Sequence, residues 1–222
     1  MPDYSIEIVE SAPFAQNCFI LRREGASTAL VVDPGFETLP VLQFLEREKL
    51  TLAMIMNTHG HVDHIAGNAV MKQAFPDAPL VIGRYDEPML SDPDLNLSTP
   101  FGLPVTSPPA DRTVEEGDQI DAAGFSFLVR EVPGHSPGSV VYIAQGISPP
   151  IVLGGDVLFA GSVGRADFPG GDFAQLRSGI RSKLFILPED TLVYPGHGPA
   201  TTIGAERRSN PFVGEPAGPF FS

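Results

Sequence analysis

Short apolar runs separated by turn residues recur along the whole chain. Most are three to six residues long, are rich in Val, Ile, Leu and Phe, and are bounded by Gly, Pro, Asn or Asp, which is typical of buried strands. The pattern predicts strands at 6–9, 18–21, 29–32, 52–56, 80–82, 119–122, 125–129, 140–144, 151–153 and 192–194.

Apolar positions spaced by three and four residues predict three helices between these runs. The first has Thr38 as its cap, the second begins at Asp63 or His64, and the third covers 173–186 after an Asp172 cap. Strands that alternate with helices in two similar halves favour two sheets packed face to face with helices outside.

Two stretches show neither the strand pattern nor the helix pattern of apolar residues. Residues 84–112 are rich in Pro, Ser, Asp and Thr, which indicates either disorder or a functional loop. Residues 210–222 are rich in Pro, Gly and Phe and are expected to pack across the surface without regular structure. No linker of the usual composition separates the two halves of the chain, so we expect a single domain over 1–222.

The composition of the chain limits the classes of binding partner and the cellular compartment that are expected. Net charge is −13 and only three of the 14 basic residues are Lys, which disfavours nucleic acid or an anionic membrane as partner. The single cysteine, Cys18, allows no intrachain disulfide, and its apolar neighbours favour a buried thiol over a nucleophile. The start of the chain has no leader pattern and no apolar stretch approaches the ~20 residues of a membrane span, so a cytoplasmic location is expected.

One segment carries most of the candidate chemistry. Within six residues, directly after the apolar run 52–56, stand His59, His61, Asp63 and His64. Extended backbone would project His59 and His61 to the same side, and a helix start would direct the other two elsewhere. Any one of them alone is better explained as a packed His or a helix cap, but four together indicate metal ligands at two adjacent positions.

The remaining two histidines, His135 and His197, each follow an apolar run and sit in a Gly/Pro turn. Asp156 follows the run 151–153 and two glycines. A lone loop His is usually solvated, and a lone Asp there is usually a turn residue. Their matching positions at strand ends favour a shared site with the 59–64 segment.

In this order, the segment 58–64, His135, Asp156 and His197 resemble the metallo-β-lactamase superfamily over almost the whole chain. Within it, the segments 16–18, 161–172, 196–199 and 210–212 are similar to the short glyoxalase II-like hydrolases of bacteria. The resemblance implies an α/β fold, a four-layer αββα sandwich, with a dinuclear site at one edge of the two sheets.

The resemblance also implies a ligand set. His59, His61 and His135 would hold a first divalent ion, Asp63, His64 and His197 a second, and Asp156 would bridge both. Zinc is expected first, with iron or manganese as alternatives. Asp33 matches a family aspartate that supports the metal loop without binding the metal.

The implied reaction is hydrolysis of a thioester by a metal-bridging hydroxide, with Asp63 and Asp156 as catalytic carboxylates. S-lactoylglutathione or a related hydroxyacyl or acyl thioester is the expected small-molecule substrate. The long glyoxalase II enzymes carry a C-terminal helical domain that helps to bind glutathione, and no such domain is expected here. Arg165 and Phe168 are the candidate substrate contacts, although Arg165 is equally explained as a surface residue that stabilises its loop.

Other functions remain open. A mononuclear iron persulfide dioxygenase is the main alternative, because the residues 164–168 are similar to a Gly-Arg-Thr-Asp-Phe segment of that branch. The Gly-His-Gly-Pro turn at 196–199 resembles the dinuclear hydrolases more. A non-catalytic relative is disfavoured because all seven ligand positions are filled, whereas lactonase or lactamase activity is compatible with the ligands. The oligomeric state is not indicated by the sequence.

Overall fold

The computed structural model describes residues 3–102 and 104–218, and its strands form two six-stranded sheets and one small hairpin. In the first sheet the strands follow chain order, with antiparallel pairing at β1–β2–β3 and parallel pairing from β3 onward. Its strands are β1 (Tyr4–Ser11), β2 (Gln16–Arg23), β3 (Thr28–Val32), β4 (Thr51–Met56), β5 (Leu80–Gly83) and β6 (Arg112–Val114).

The second sheet is formed by the second half of the chain. Its strands are β7 (Gln119–Ala122), β8 (Phe125–Glu131), β9 (Val140–Gln145), β10 (Ile151–Gly155), β13 (Leu192–Pro195) and β14 (Thr201–Thr202), and β11 (Leu158–Phe159) pairs with β12 (Ser162–Val163) in the hairpin. The order across the sheet is β14-β13-β10-β9-β8-β7. The pairing is antiparallel except between β10 and β13, which are parallel.

Helices cover the outer face of each sheet. They are α1 (Thr38–Arg47), α2 (Val62–Ile65), α3 (Asn68–Ala74), α4 (Phe173–Gly179), continued by a π-turn over Ile180–Leu184, and α5 (Ile203–Ser209). Helices α1 and α3 pack on the first sheet, and α4 and α5 pack on the second. The predicted four-layer αββα sandwich is therefore confirmed. Within the described residues, no helix is both long and apolar enough to cross a bilayer.

The strands read as continuous apolar runs because both of their faces are buried. Along β2, Phe19 and Leu21 point into the layer between the sheets, whereas Cys18 and Ile20 point toward the helices. Opposite them in the central layer lies Tyr142 of β9, which is fully buried. Its hydroxyl donates a hydrogen bond of 2.8 Å to the Asn57 carbonyl, at the point where β4 ends and the histidine segment begins.

Two helix predictions need correction. The helix expected from Asp63 or His64 onward is divided into α2 and α3 at Gly67, whose amide donates to the Pro34 carbonyl at 2.8 Å. A Cβ at Gly67 would lie 2.6 Å from the Gly35 carbonyl oxygen, so this contact with the turn after β3 interrupts the helix. Thr38 is the first residue of α1 and not its cap, because Glu37 occupies the cap position without a side-chain hydrogen bond.

The predicted Asp172 cap is present, and its carboxylate accepts the Gln175 amide hydrogen bond. Of the apolar positions Phe173, Leu176, Ile180 and Leu184 that predict this helix, the last three are buried and Phe173 is partly exposed. Burial of each of the three contributes about 1.5–3 kcal/mol. The sequence patterns missed β6, the hairpin, β14 and α5.

The two stretches without a clear period differ in structure. Within 84–112, short 3₁₀ turns form at Arg84–Leu90 and Thr99–Phe101, and the stretch lies against the histidine segment through a Val62 to Asn96 backbone hydrogen bond. The described part of the tail, residues 210–218, is irregular apart from one 3₁₀ turn at Glu215–Ala217. The predictions for residues 1–2, 103 and 219–222 lie outside the described residues.

Candidate metal centre

The candidate site lies at the edge where strands of both sheets end. Strands β8 and β10 each pair antiparallel with β9, and β13 pairs parallel with β10, so the three run in the same direction. Their carboxyl ends therefore share one edge, where loops commonly carry functional side chains. His135 follows β8, Asp156 follows β10 and His197 follows β13, and the segment after β4 lies at the same edge.

All seven predicted ligand residues converge there. Their ring nitrogens and carboxylate oxygens form three overlapping groups, and within each group these atoms lie within 4.8 Å of one another. The groups are His59, His61 and His135; His59, His64 and Asp156; and Asp63, His64 and His197. The first and third groups contain the same residues as the two ligand sets that the family resemblance implies.

Within the first group the nitrogens are in close contact. The His135 Nε2 atom lies 2.8 Å from His61 Nδ1 and 3.2 Å from His59 Nε2. In the third group, His197 Nε2 lies 3.2 Å from the nearer Asp63 oxygen.

Asp156 lies between these two groups. One of its oxygens, Oδ2, is 3.5 Å from the Nε2 atoms of both His135 and His197, and the other, Oδ1, is 3.4 Å from His64 Nε2. A carboxylate in this position can contact ions in both groups.

The second ring nitrogen of two histidines is fixed by a backbone carbonyl. His135 Nδ1 is 2.7 Å from the Arg165 carbonyl oxygen, and His197 Nδ1 is 3.1 Å from that of Phe14. Because a carbonyl only accepts, each Nδ1 carries the hydrogen and each Nε2 presents its lone pair to the cluster. Metal-binding histidines are usually oriented in this way.

Asp33 fixes two further histidines, as expected for a residue that supports the metal loop. Its carboxylate is fully buried and accepts hydrogen bonds from the Thr58 amide at 2.7 Å, the Thr58 hydroxyl at 2.6 Å and His64 Nδ1 at 2.9 Å. Since Thr58 donates its hydroxyl hydrogen to Asp33, the 3.2 Å contact between Thr58 Oγ1 and His59 Nδ1 requires His59 to donate. His59 Nε2 and His64 Nε2 are thereby left facing the cluster.

Unpartnered buried atoms test whether these residues fit a metal. Among the described residues, His64 Nε2 and Asp156 Oδ1 are both buried without a hydrogen-bond partner, and they face each other without the alignment of a hydrogen bond. An unsatisfied buried polar atom costs about 1–3 kcal/mol. A cation coordinated by both atoms would remove that cost, and imidazole with carboxylate is the donor set preferred by zinc, iron and manganese. The residues therefore fit divalent metal ions.

The pKa values of His59 and His61 are shifted in the opposite direction to that of His64. Burial, together with the neighbouring histidines, lowers the pKa of His61 to about 3 and lowers that of His59 well below its usual value. Burial also acts to lower the pKa of His64, but Asp63 and Asp156 outweigh it and raise that pKa well above 6.5. His59 and His61 thus present neutral imidazoles, whereas the carboxylates around His64 favour a proton that a bound cation would have to displace.

Two glycines are required by close contacts at the site. Gly155 has a positive φ of 47°, and a Cβ there would overlap the Thr58 side chain. A Cβ at Gly196 would overlap the Asp156 carboxylate and lie 2.6 Å from the His64 ring. Only glycine lets these backbones pass so close to the ligand side chains.

Sequence reasoning missed one buried residue near the site, Asp86. It lies in the 3₁₀ turn Arg84–Leu90, and its carboxylate accepts hydrogen bonds from the backbone amides of Gly60 and Gly138 and from the Ser136 hydroxyl. Burial raises its pKa, although these hydrogen bonds act in the opposite direction. The three donors come from the two loops that carry the first predicted ligand group, a relationship that no local pattern indicates.

The Gln16–Asn17 segment, noted only as part of the family resemblance, supports the His197 loop. The Asn17 amide donates to the Gly196 carbonyl at 2.7 Å, and its side chain donates to the carbonyls of Pro195 and Gly198. These bonds join the first sheet to the end of β13.

A cavity of about 670 Å³ opens on the cluster, and Arg165 and Phe168 both line it. The Phe168 ring lies edge-on to His61, with 5.4 Å between centroids. The Arg165 guanidinium donates two hydrogen bonds, of 2.9 and 2.8 Å, to the Asp167 carboxylate, and both side chains are largely exposed. Arg165 therefore stabilises its own loop at the rim of the cavity.

Comparison with known proteins agrees with this arrangement. A family model described as the metallo-beta-lactamase superfamily matches residues 11–197. The hydroxyacylglutathione hydrolase GloC of Haemophilus influenzae is 36% identical over 211 residues, which cover 94% of this chain and 98% of that protein.

Two solved structures are similar in both sequence and fold. The crystal structure of BLEG-1 B3 metallo-beta-lactamase has a TM-score of 0.89 at 37% identity, covering 94% of this chain and 99% of that one. The crystal structure of TTHA1623 in a di-iron-bound form has a TM-score of 0.78 at 36% identity, covering 93% and 99%. The similarity thus extends over almost the full length of each relative.

Proposed function

Because the chain belongs to the metallo-beta-lactamase superfamily, we propose that it is a dinuclear metal hydrolase that cleaves a thioester. The observation that carries the proposal is the position of Asp156 between two groups of metal-ligand atoms. S-lactoylglutathione or a related hydroxyacyl or acyl thioester is the proposed substrate. The similarity to a relative named hydroxyacylglutathione hydrolase supports this class.

The two ions would be held by the residues of the two groups. His59, His61 and His135 would hold the first ion, Asp63, His64 and His197 the second, and Asp156 would contact both. Zinc is the proposed metal, with iron or manganese as alternatives. When bound, such ions lower the pKa of a water molecule to about 7 and polarise a carbonyl oxygen.

The protein supplies orientation and charge balance. Asp63 and Asp156 would offset part of the positive charge of the ions, and their oxygens would accept a hydrogen bond from an attacking water. Asp33, Arg165 and Phe14 fix the tautomers of the histidines through hydrogen bonds, the last two through their carbonyls. Such second contacts contribute about 10–100-fold to metal affinity or activity.

In the proposed reaction the oxygen of a deprotonated water adds to the thioester carbonyl carbon, and the carbon–sulfur bond then breaks. The products are a carboxylate and a thiolate that takes its proton from solvent. A thiolate leaves readily, so no strong acid is needed. The chain's own thiol takes no part, because Cys18 is 1% exposed within β2.

The test combines metal quantitation with a substrate panel. The protein is loaded with zinc, manganese or iron, freed of loose metal, and assayed on S-lactoylglutathione, simple acyl thioesters, a lactone, a β-lactam and glutathione persulfide. We expect two ions per chain and release of thiol. One iron per chain with oxygen uptake on the persulfide would instead indicate the dioxygenase alternative, and cleavage confined to the lactone or β-lactam would replace the thioester substrate.

A further inference from the structure

The walls of the cavity are apolar, although its floor is the polar cluster. Asp63, His135, Asp156 and His197 lie on the floor, and the sides include Phe14, Leu97, Phe101, Phe159, Val163 and Phe168. A volume of about 670 Å³ lies within the range of small-molecule sites, about 300–1,000 Å³. The group bound beside the reacting atoms would therefore be surrounded mainly by aromatic and aliphatic carbon.

Aromatic contacts hold the walls in place. The Phe14 ring meets Phe101 edge-on, with 5.2 Å between centroids, and stacks on Phe36 at 5.9 Å. Elsewhere in the lining, Phe159 meets the His197 ring edge-on, with 6.2 Å between centroids. The apolar surface thus continues from the rim of the cavity to a predicted metal ligand.

The segment that carries Phe101 is fixed by a buried amide. The Asn96 side chain donates to the carbonyls of Met89 and Val105 at 3.0 and 2.9 Å and accepts from the Ser98 amide at 3.0 Å, so its polar atoms are satisfied. The next residue, Leu97, lines the cavity with a positive φ of 65°. A non-glycine residue in this conformation is uncommon, and such residues are enriched at functional sites.

The charge of the cavity does not match a glutathione moiety, which carries two carboxylates and one ammonium. Among the described residues that line the cavity, Arg165 is the one Lys or Arg side chain. Its guanidinium is paired with Asp167 and lies over the Phe168 ring, 4.2 Å from the centroid. A carboxylate moved into apolar surroundings without a partner is strongly disfavoured, and the net charge of −13 adds repulsion.

We infer that the apolar walls select an uncharged thioester with an apolar chain over a glutathione conjugate. This inference rests on the proposed thioester hydrolysis and names the substrate class of the same site. The apolar chain of the substrate lies either on the acyl side or on the thiol side of the carbonyl. In both cases the same apolar walls would recognise it. Each methylene moved from water into such a wall raises kcat/KM about fourfold.

The test uses two series of substrates with the protein loaded with metal. The first series is the acetyl, butyryl, hexanoyl and octanoyl thioesters of N-acetylcysteamine, and the second is the acetyl thioesters of alkanethiols of two to six carbons. S-lactoylglutathione is assayed beside them. We expect kcat/KM to rise about fourfold per methylene in at least one series and to exceed the value for S-lactoylglutathione.

A matched pair of variants localises the effect. Phe101 is 57% exposed and lines the cavity, whereas Phe212 is 44% exposed and lies outside it. Phe101→Ala is expected to reduce kcat/KM for the longest active substrate by about tenfold, with a smaller loss for the shortest substrate of the same series and with metal content unchanged. Phe212→Ala is expected to leave the whole series unchanged.

A second readout separates this inference from the proposed function. Binding of S-alkyl N-acetylcysteamine thioethers, which cannot be hydrolysed, is measured by calorimetry with the same two variants. The apolar selection would be overturned, with thioester hydrolysis intact, by three results together. The value of kcat/KM would not change with chain length in either series, S-lactoylglutathione would be the preferred substrate, and thioether binding would be the same in Phe101→Ala as in the unchanged protein. The hydrolase proposal would be overturned if no thioester were hydrolysed. If thioether binding still strengthened with chain length and Phe101→Ala weakened it, the inference that the cavity binds an apolar chain would stand.

Discussion

The Ser136 hydroxyl donates a hydrogen bond of 2.6 Å to the buried carboxylate of Asp86. The same carboxylate accepts the Gly138 amide at 2.6 Å and the Gly60 amide at 2.9 Å. Gly60 lies between two predicted ligands of the first group, and Ser136 directly follows the third. One side chain from a distant 3₁₀ turn therefore sets the distance between the two loops on which that group depends.

Asp86→Asn is expected to weaken metal binding in the first group. Asp86 receives three donors, and an asparagine amide would place its own donors against at least one of them. We expect about a 10–100-fold loss of affinity for one of the two ions, measured by competition with a chelator, with the second ion retained.

The matched control is Asp111→Asn. Asp111 also accepts a backbone amide, that of Leu80 at 2.7 Å, and contacts Lys72, but it does not belong to the site. This variant is expected to bind both ions as the unchanged protein does. Equal affinities in Asp86→Asn and Asp111→Asn would show that Asp86 does not position the ligands.

Asp156→Ala is expected to remove activity and reduce metal content together. Asp156 is the carboxylate that lies between both groups, so its loss should reduce turnover more than the roughly 100-fold attributed to outer contacts. Metal per chain and thiol release are measured on the same preparation. Asp190→Ala, at an exposed position outside the site, serves as control, and an Asp156→Ala protein with normal activity would refute the ligand assignment.

The features that the sequence predicted are those with a local cause. Strands such as β4 are visible because both faces are buried, and the Asp172 cap is visible because its acceptor role involves a residue three positions away. The His59–His64 segment is visible because four potential ligands seldom stand within six residues unless they bind a metal together. Local spacing therefore indicated the fold layers and the candidate ligands.

The features that were missed depend on contacts between distant parts of the chain. Asp86 accepts hydrogen bonds from Gly60 and Gly138, which lie 26 and 52 residues away in the sequence. A helix or strand pattern covers only nearby residues, so it cannot indicate such partners. The break at Gly67 arises from the turn at Pro34 and Gly35, which meets it only in the folded protein. By contrast, the Arg165–Asp167 pair is only two residues apart, and its spacing could have suggested that the guanidinium is occupied.

Glu116 provides a pH-dependent contribution to stability away from the site. Burial acts to raise its pKa, but hydrogen bonds from Lys183, the Glu131 amide and Arg130 outweigh it, so the pKa lies below its usual value. A carboxyl with a lowered folded-state pKa stabilises the protein above its unfolded pKa of about 4.3, and this contribution is lost as the pH falls through the folded value.

Glu116→Gln should therefore reduce the free energy of unfolding at pH 7 by less than about 1 kcal/mol, because the group is partly exposed. The difference from the unchanged protein should disappear as the pH is lowered from about 4.3. Urea unfolding of the metal-free proteins at several pH values measures it, with Glu24→Gln, an exposed position, as control. A difference that is the same at pH 7 and pH 3 would contradict the assigned cause.

Cys18 is expected to be unreactive in the folded protein. Its thiol is 1% exposed in β2, and burial, with Asp33 nearby, raises its pKa, so almost no thiolate is present at pH 8. Labelling requires opening of the layer between β2 and the helices, which for a stable core strand costs about 5 kcal/mol or more. A thiol reagent at pH 8 should therefore modify the native protein at least about a thousandfold more slowly than the urea-unfolded protein. Cys18→Ala should give no labelling in either state, and rapid native modification would show that this part of β2 opens readily.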